Sequence, residues 1–241
     1  MRKEEKKKRD IVSIVLVAAI LIIAAAVGIT FINELRFSGE VKAENEEIRE
    51  LYVSGEEKEA AVDFSSLCEA NPDVCAWIKV DNTNIDLPVV QGSNNLEYLN
   101  KNVLRESALY GAVFADVRNS ADFSDSYTLL YGHHMDDGNM FGDIDLFEDE
   151  GFFDANGSGT LYTKEATFRL SAVAFITADA KDEYLFTPEQ WTEENLPELI
   201  KYAELAAENK KEFSGKKYIA LSTCSAKGEN LRSILLMALE E

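Results

Sequence analysis

The chain predicts a mostly β fold, a barrel or a sandwich carrying a few helices, set behind one long apolar helix. Three observations predict it. Eight short runs between residues 76 and 239, rich in β-branched, aromatic and aliphatic residues, are separated by turn-forming stretches. One helix-forming stretch, residues 188–209, is inserted before the last two of these runs. Residues 11–32 (IVSIVLVAAILIIAAAVGITFI) carry no charge over 22 positions.

That charge-free run is long enough to cross a hydrocarbon layer of about 30 Å as a helix. The preceding ten residues, MRKEEKKKRD, hold six Lys/Arg. A basic flank stays on the cytoplasmic side, so residues 1–10 are expected to be a cytoplasmic tail and everything after residue 32 to lie outside the cell. The rival reading is a cleaved signal peptide. Its apolar core is usually only about 7–15 residues, and here Ala24-Ala25-Ala26 is followed by further apolar residues. An uncleaved, single-pass anchor contacting the lipid bilayer through residues 11–32 is therefore the expectation.

Of the chain's 24 Lys/Arg and 44 Asp/Glu, six and three fall before residue 11, leaving 18 against 41, a net charge near −23. A polyanion cannot bind nucleic acid by neutralising phosphates, nor lie flat on anionic lipid. The expected exported part is a soluble, self-repelling surface domain.

In chain order, residues 33–62 are charged and mostly helix-forming and read as a stalk, with a second helical piece at 64–70 that Asn71-Pro72 ends. The globular domain is expected over 63–241. Strands follow at 76–80 and 85–90, joined by the turn Asp81-Asn82-Thr83-Asn84, with Pro88 favouring an edge or bulge. Further strands read at 111–115, 127–132, 160–162, 167–178, 218–223 and 232–239, and Pro188 suits the start of the helical insertion. No internal repeat or low-complexity segment is present.

Three cysteines and two histidines carry the chemistry. Outside the membrane a Cys68–Cys75 bridge is open, because Pro72 breaks the chain between them; two small buried hydrophobes is the default. Cys224 ends a strand, and Arg232 follows eight residues later. Cysteine acyl chemistry needs a thiolate, a proton carrier for the leaving amine and positive charge on the tetrahedral oxygen. Cys224 can attack, His133 or His134 can move the proton, and Arg232 supplies a charge that persists at every relevant pH. In extended backbone adjacent side chains point to opposite faces, so only one of the two histidines can serve. The order His, Cys, Arg argues against the papain-like arrangement.

These segments resemble the sortase family. YGHHMDDGNMFGD (131–143) is similar to its YGH…MF segment, and ALSTC (220–224) to its T-L-x-T-C signature with Ala220 in place of Thr. NPDVCAWIKVDNTNIDLPVVQGSNNLEYL (71–99), GAVFADVRN (111–119) and the helical insertion resemble class B, although class B members commonly have Asn where His134 stands. The resemblance spans roughly residues 63–241. It implies a sortase-like eight-stranded β-barrel with N-terminal helices and a helical insertion before the cysteine strand. It further implies a cysteine transpeptidase in a Gram-positive-like envelope, needing no cofactor. Cys224 would attack the Thr carbonyl of a C-terminal sorting signal, expected to be of Asn-Pro type, on a surface protein. His133, directly after Gly132, would protonate the leaving amine, and Arg232 would hold substrate backbone or oxyanion. Tyr131, Ser222, Thr223, Asn95 and Leu96 would bind substrate. The acceptor would be a cell-wall peptidoglycan precursor amine; alternatives are a pilin lysine, or a non-catalytic domain in which Cys224 is structural.

Other motifs are weaker. DGNMFGDIDLFE (137–148) partly fits a calcium loop, but Phe141 cannot supply a side-chain oxygen at the fifth position, so a solvated acidic turn and no metal is the expectation. Asp179, Asp182 and Glu183 read as a solvated acidic cluster, Asn156-Gly157-Ser158 as a turn, and Trp77 and Trp191 as packing residues.

Overall fold

The computed structural model describes residues 2–55 and 61–240. Residues 56–60 of the expected stalk, residue 1 of the expected tail and residue 241 lie outside the described residues. The chain divides into two compact units, Met1–Glu44 and Asn45–Glu241.

The first unit is helical and is formed by helix α1 (Arg2–Tyr52), whose last two turns belong to the second unit. No proline occurs before residue 72, so nothing interrupts its hydrogen-bond ladder. Ile20, Leu21, Ile22 and Ile23 are consecutive and all more than half exposed, so the helix is apolar on every side. It is long and apolar enough to cross a membrane, with a mean hydropathy of 1.8 in its most apolar stretch.

The second unit is an eight-stranded barrel. Its strands are β1 (Val74–Val80), β2 (Asp86–Val90), β3 (Val113–Ala115), β4 (Tyr127–Tyr131), β5 (Ser158–Thr163), β6 (Thr167–Asp179), β7 (Lys217–Cys224) and β8 (Leu231–Glu240). Around the barrel the order is β8-β7-β4-β3-β2-β1-β5-β6, closed by β6 against β8. β2–β3 and β4–β7 are parallel pairs, and the other six are antiparallel. A two-residue strand, Asn209–Lys210, adds to the edge of β6, and helix α3 (Glu150–Ala155) precedes β5.

Each expected strand is found within a few residues of its expected limits. The β1–β2 turn is fixed by Thr83, whose hydroxyl donates to the Val80 carbonyl at 2.7 Å, and by Asn82 at φ 60°, a left-handed conformation that Asn tolerates better than most. Pro88 sits in a strand paired on both sides, one residue from a bulge, where Val74 and Ala76 of β1 face the successive residues Val90 and Val89. It is tolerated because it pairs with Trp77 of β1, while β3 pairs only with Val89 and Val90.

β7 is buried from Tyr218 to Thr223, on both faces. Tyr218 and Ala220 pack with Leu196, Leu199 and Ala203 of helix α5 (Leu196–Ala206), and the alternate residues Ile219 and Leu221 point into the barrel. The i, i+3, i+7 spacing of the three α5 residues gives it one apolar face. That helix begins later than Pro188 suggested. Pro188 opens only the 3₁₀ turn Pro188–Gln190, and Pro197 sits in the first turn of α5, where no intrahelical donor is lost. The acidic cluster before it does more than meet solvent: Asp182 accepts from the Tyr184 and Leu185 amides at the start of helix α4 (Glu183–Phe186) and from the Tyr202 hydroxyl.

On the opposite side, helix α2 (Phe64–Ala70) is capped by Asp63 and ended by Asn71, whose extended backbone precedes Pro72. Leu67 packs with Ile48, Trp77 and Tyr98. Trp77 is fully buried and donates Nε1–H to Asp86 at 2.6 Å, and Arg49 meets the other Asp86 oxygen at 2.7 Å. Trp191 is also buried and donates to the Tyr184 carbonyl at 2.9 Å. Cys68 and Cys75 are unbridged; each thiol lies near a carbonyl, of Val74 and Val89 respectively, and burial pushes the Cys75 thiol up to about 12.

Candidate active site

The parallel pair β4–β7 and the antiparallel pair β7–β8 assemble the site. Tyr131 at the end of β4 lies beside Ser222, and the Gly132 amide continues the ladder to the Ser222 carbonyl at 3.2 Å. Cys224 at the end of β7 pairs with Arg232 at the start of β8. Residues remote in sequence thus reach one end of the barrel. They line a cavity of about 410 Å³ to which Cys224, His133 and Arg232 all contribute.

Cys224 is unbridged and exposed. His133 is half-buried, and its Nε2 lies 2.8 Å from the Leu99 carbonyl oxygen. A carbonyl only accepts, so Nε2 carries a proton there, and Nδ1 is the nitrogen left to exchange one. His134, in contrast, is not part of the cavity wall. Its Nε2 meets Asp145 at 2.8 Å and its Nδ1 lies 3.5 Å from Asp136. The alternation of side chains in extended backbone has sent the two rings to different places.

Arg232 donates Nη1–H to the carbonyls of Leu231 and Glu229, at 2.9 and 3.3 Å. Among the described residues no carboxylate pairs with it, so its charge is available to a ligand. Ser222 and Thr223 also line the cavity; both are buried, and neither hydroxyl has a protein partner. Tyr131 and Asn95 complete the expected set in the wall. Leu96 does not: it is 72% exposed, next to Asn95, at the start of the 3₁₀ turn Glu97–Leu99.

Gly132 has a steric role. A Cβ there would stand 2.7 Å from the ring of Phe141, which is fully buried. Phe141 in turn donates its amide to the His133 carbonyl at 3.0 Å, so its ring and its backbone both bear on the Gly132-His133 main chain. Gly132→Ala is therefore expected to destabilise the fold by about 1–3 kcal/mol, the usual cost of overpacking, and to displace His133. Thermal unfolding and peptide turnover measured on one preparation would check both effects.

Several members of the wall carried no signal in the sequence: Leu99, Phe114, Ala180 and Phe186. Phe114 stacks obliquely on Tyr131 with centroids 5.3 Å apart, and Phe186 ends helix α4, just before the helical insertion. Beneath them Asp116 is fully buried and paired with Arg118 at 2.8 Å. In the 135–148 turn, Asp137 accepts from the Asn139 amide and Phe141 is buried, and the segment Gly142–Glu148 is a 3₁₀ helix.

A closed eight-stranded barrel that brings a thiol, an imidazole and a guanidinium to one cleft has the architecture of a cysteine acyl transferase. No family model matches the chain. Sortase B of Listeria monocytogenes is 30% identical over 174 residues, 71% of this chain and 70% of that protein. A class B sortase of Streptococcus pyogenes involved in pilus biogenesis superposes with a TM-score of 0.69 at 36% identity, covering 74% of this chain and 98% of that one. Sortase B of Clostridium perfringens gives 0.68 at 31% identity, covering 73% and 99%. The chain belongs to the class B sortases. It is a cysteine transpeptidase of the kind that anchors proteins to the cell wall of Gram-positive bacteria.

Proposed function

We propose that Cys224 is the nucleophile, His133 the proton carrier and Arg232 the charge that receives the oxyanion, acting on a C-terminal sorting signal of a surface protein. The observation that carries this reading is that these three side chains line one cavity. The Cys224 thiolate adds to the carbonyl carbon of a Thr residue, and the oxygen that becomes negative faces the Arg232 guanidinium. The C–N bond then breaks, the departing amine takes a proton from His133, and the acyl group stays on sulfur as a thioester. An incoming amine attacks that thioester, passes a proton to the His133 imidazole, and leaves with the acyl group as a new amide while the thiolate is regenerated.

Tyr131, Ser222, Thr223 and Asn95 bind the signal along the cavity wall, and Leu96 offers it an exposed apolar side chain. An Asn-Pro-type signal is the expected substrate; a staphylococcal sortase B with 26% identity and a TM-score of 0.68 is known as a substrate complex. The acceptor is the amine of a peptidoglycan precursor. A pilin lysine is the second reading, favoured by the likeness to the streptococcal class B sortase involved in pilus biogenesis.

The expected layout is a cytoplasmic tail (1–10), a membrane anchor (11–32), a stalk (33–62) and a catalytic domain (63–241) outside the cell. The exposed apolar side chains of α1 support the anchor. The test is mass spectrometry of the full-length chain, in detergent, after incubation with candidate sorting peptides. An adduct of the mass of the acyl fragment on the peptide containing Cys224 is expected; modification elsewhere, or none with any peptide, would overturn the assignment.

A further inference from the structure

Asp116 is not in the cavity wall, yet much of that wall is tied to it. The carboxylate is 0% exposed and takes five hydrogen bonds. Arg118 supplies three, from its amide at 3.0 Å, Nε at 2.8 Å and Nη2 at 2.8 Å. Tyr131 supplies its hydroxyl at 3.0 Å and Asn95 its Nδ2 at 2.9 Å. The last two are cavity residues. Arg118 reaches further: the same Nη2 donates to the Phe186 carbonyl at the end of α4 at 2.8 Å, and Nη1 meets Glu189, in the 3₁₀ turn that opens the helical insertion, at 3.1 Å.

We infer that Asp116 is the positioning residue of the substrate cleft, fixing the hydrogen-bond direction of Tyr131 and Asn95 and, through Arg118, fastening helix α4, which supplies Phe186, and the start of the helical insertion. The assignment deepens the peptide-binding role proposed above and rests on it for its substrate.

The chemistry follows from the donor and acceptor inventory. Burial pushes the Asp116 carboxyl up, but the bonds from Arg118 and Tyr131 more than offset this and hold it below its ordinary value. Asp116 is thus ionised at neutral pH and can only accept. Tyr131 has one proton, and it is committed to Asp116; burial and that neighbouring charge raise its pKa, so the phenol stays neutral. A peptide group that reaches this phenol oxygen therefore finds lone pairs only and has to be a donor. Asn95 is oriented in the same way. Its Oδ1 accepts from the Val117 amide at 2.8 Å, which turns Nδ2 toward Asp116. A neutral asparagine at position 116 would present a donor to some of these groups, lose the pairing with Arg118 and release both the amide and the phenol.

The test uses Asp116→Asn, Tyr131→Phe and the double variant in the full-length chain. Hydrogen exchange comes first, because it needs no substrate. Asp116→Asn is expected to speed exchange in residues 93–97 and 183–190 by about tenfold or more while β7 and β8 keep their protection. Unchanged exchange in both segments would overturn the proposal, as would an equal loss across β7 and β8, which would make Asp116 a general stabiliser. Kinetics come second, on a peptide that acylates Cys224. KM is expected to rise about tenfold with kcat within about threefold, the scale of one lost charge-assisted hydrogen bond, and Tyr131→Phe is expected to add little in the double variant. A folded Asp116→Asn chain with unchanged KM would overturn it. If Asp116→Asn does not fold, Tyr131→Phe decides: a raised KM supports the role, and an unchanged one ends it. If no sorting peptide acylates the chain, the substrate reading fails while the exchange result still decides whether Asp116 positions the cleft.

Discussion

Cys224→Ala is expected to reduce turnover of a fluorogenic sorting peptide by on the order of 10⁴-fold or more, with no thioester formed and the fold intact. Loss of a nucleophile removes the covalent route entirely, and the site offers no substitute. Ser222 and Thr223 have hydroxyls in the same cavity, but both are buried, and neither is hydrogen-bonded to a base. Cys75 is buried against the Val89 carbonyl with its pKa pushed up to about 12, and neither it nor Cys68 belongs to the cavity wall. Because Cys224 is exposed at a strand end, the substitution leaves no core cavity, and a stability change within about 0.5 kcal/mol is expected. Turnover above about 1% of the parent's in a properly folded Cys224→Ala chain would falsify the nucleophile assignment. Cys224→Ser separates chemistry from packing: it restores the shape and a hydroxyl, and is expected to stay almost as inactive, since a serine hydroxyl here has no thiolate's nucleophilicity.

The parts of this site that were legible in the sequence are those that local pattern fixes. A strand ending in Cys224, a second beginning near Arg232 and a third ending at Gly132 could each be read from a period of two and a bounding turn residue. That they sit side by side is a consequence of barrel closure, which no local window contains; the family resemblance supplied it. The illegible part is long-range and made largely of backbone. The Leu99 carbonyl that orients His133 is 34 residues away and is a group every residue carries. Asp116 gathers Asn95 from 21 residues before it and Tyr131 from 15 after it, and a lone Asp in a sequence of 44 acidic residues has no mark of burial. Pro188 marked the start of the insertion but not of its α-helix, for a related reason. A proline favours the first turn of any helix, and this chain placed one at the head of a 3₁₀ turn and another, Pro197, at the head of α5. Leu96, named by likeness alone, stands exposed beside the wall residue Asn95, a placement that depends on the long-range path of the chain.

His133→Ala and His134→Ala are expected to part company. Removing His133 takes away the only imidazole in the cavity wall, and with it both the proton for the leaving amine and the acceptor for the incoming one. General acid–base groups of this kind contribute about 10²–10⁴-fold, so a loss in that range is expected in kcat/KM, with little change in stability because the ring is half-buried and makes one hydrogen bond. Removing His134 acts elsewhere. It breaks the 2.8 Å contact with Asp145, one of whose oxygens already has no partner, and leaves that carboxylate in a partly buried site. The expected result is a loss of roughly 1–3 kcal/mol in stability and less than about a fivefold change in turnover at a temperature where both chains are folded. His134→Asn should recover most of that stability, because a side-chain amide can still donate to Asp145, whereas His133→Asn should recover no activity, because an amide does not exchange protons near neutral pH. Equal losses of turnover in the two alanine variants, with both folded, would mean that the extended-backbone argument separating the two rings is wrong and that His134 reaches the reacting atoms.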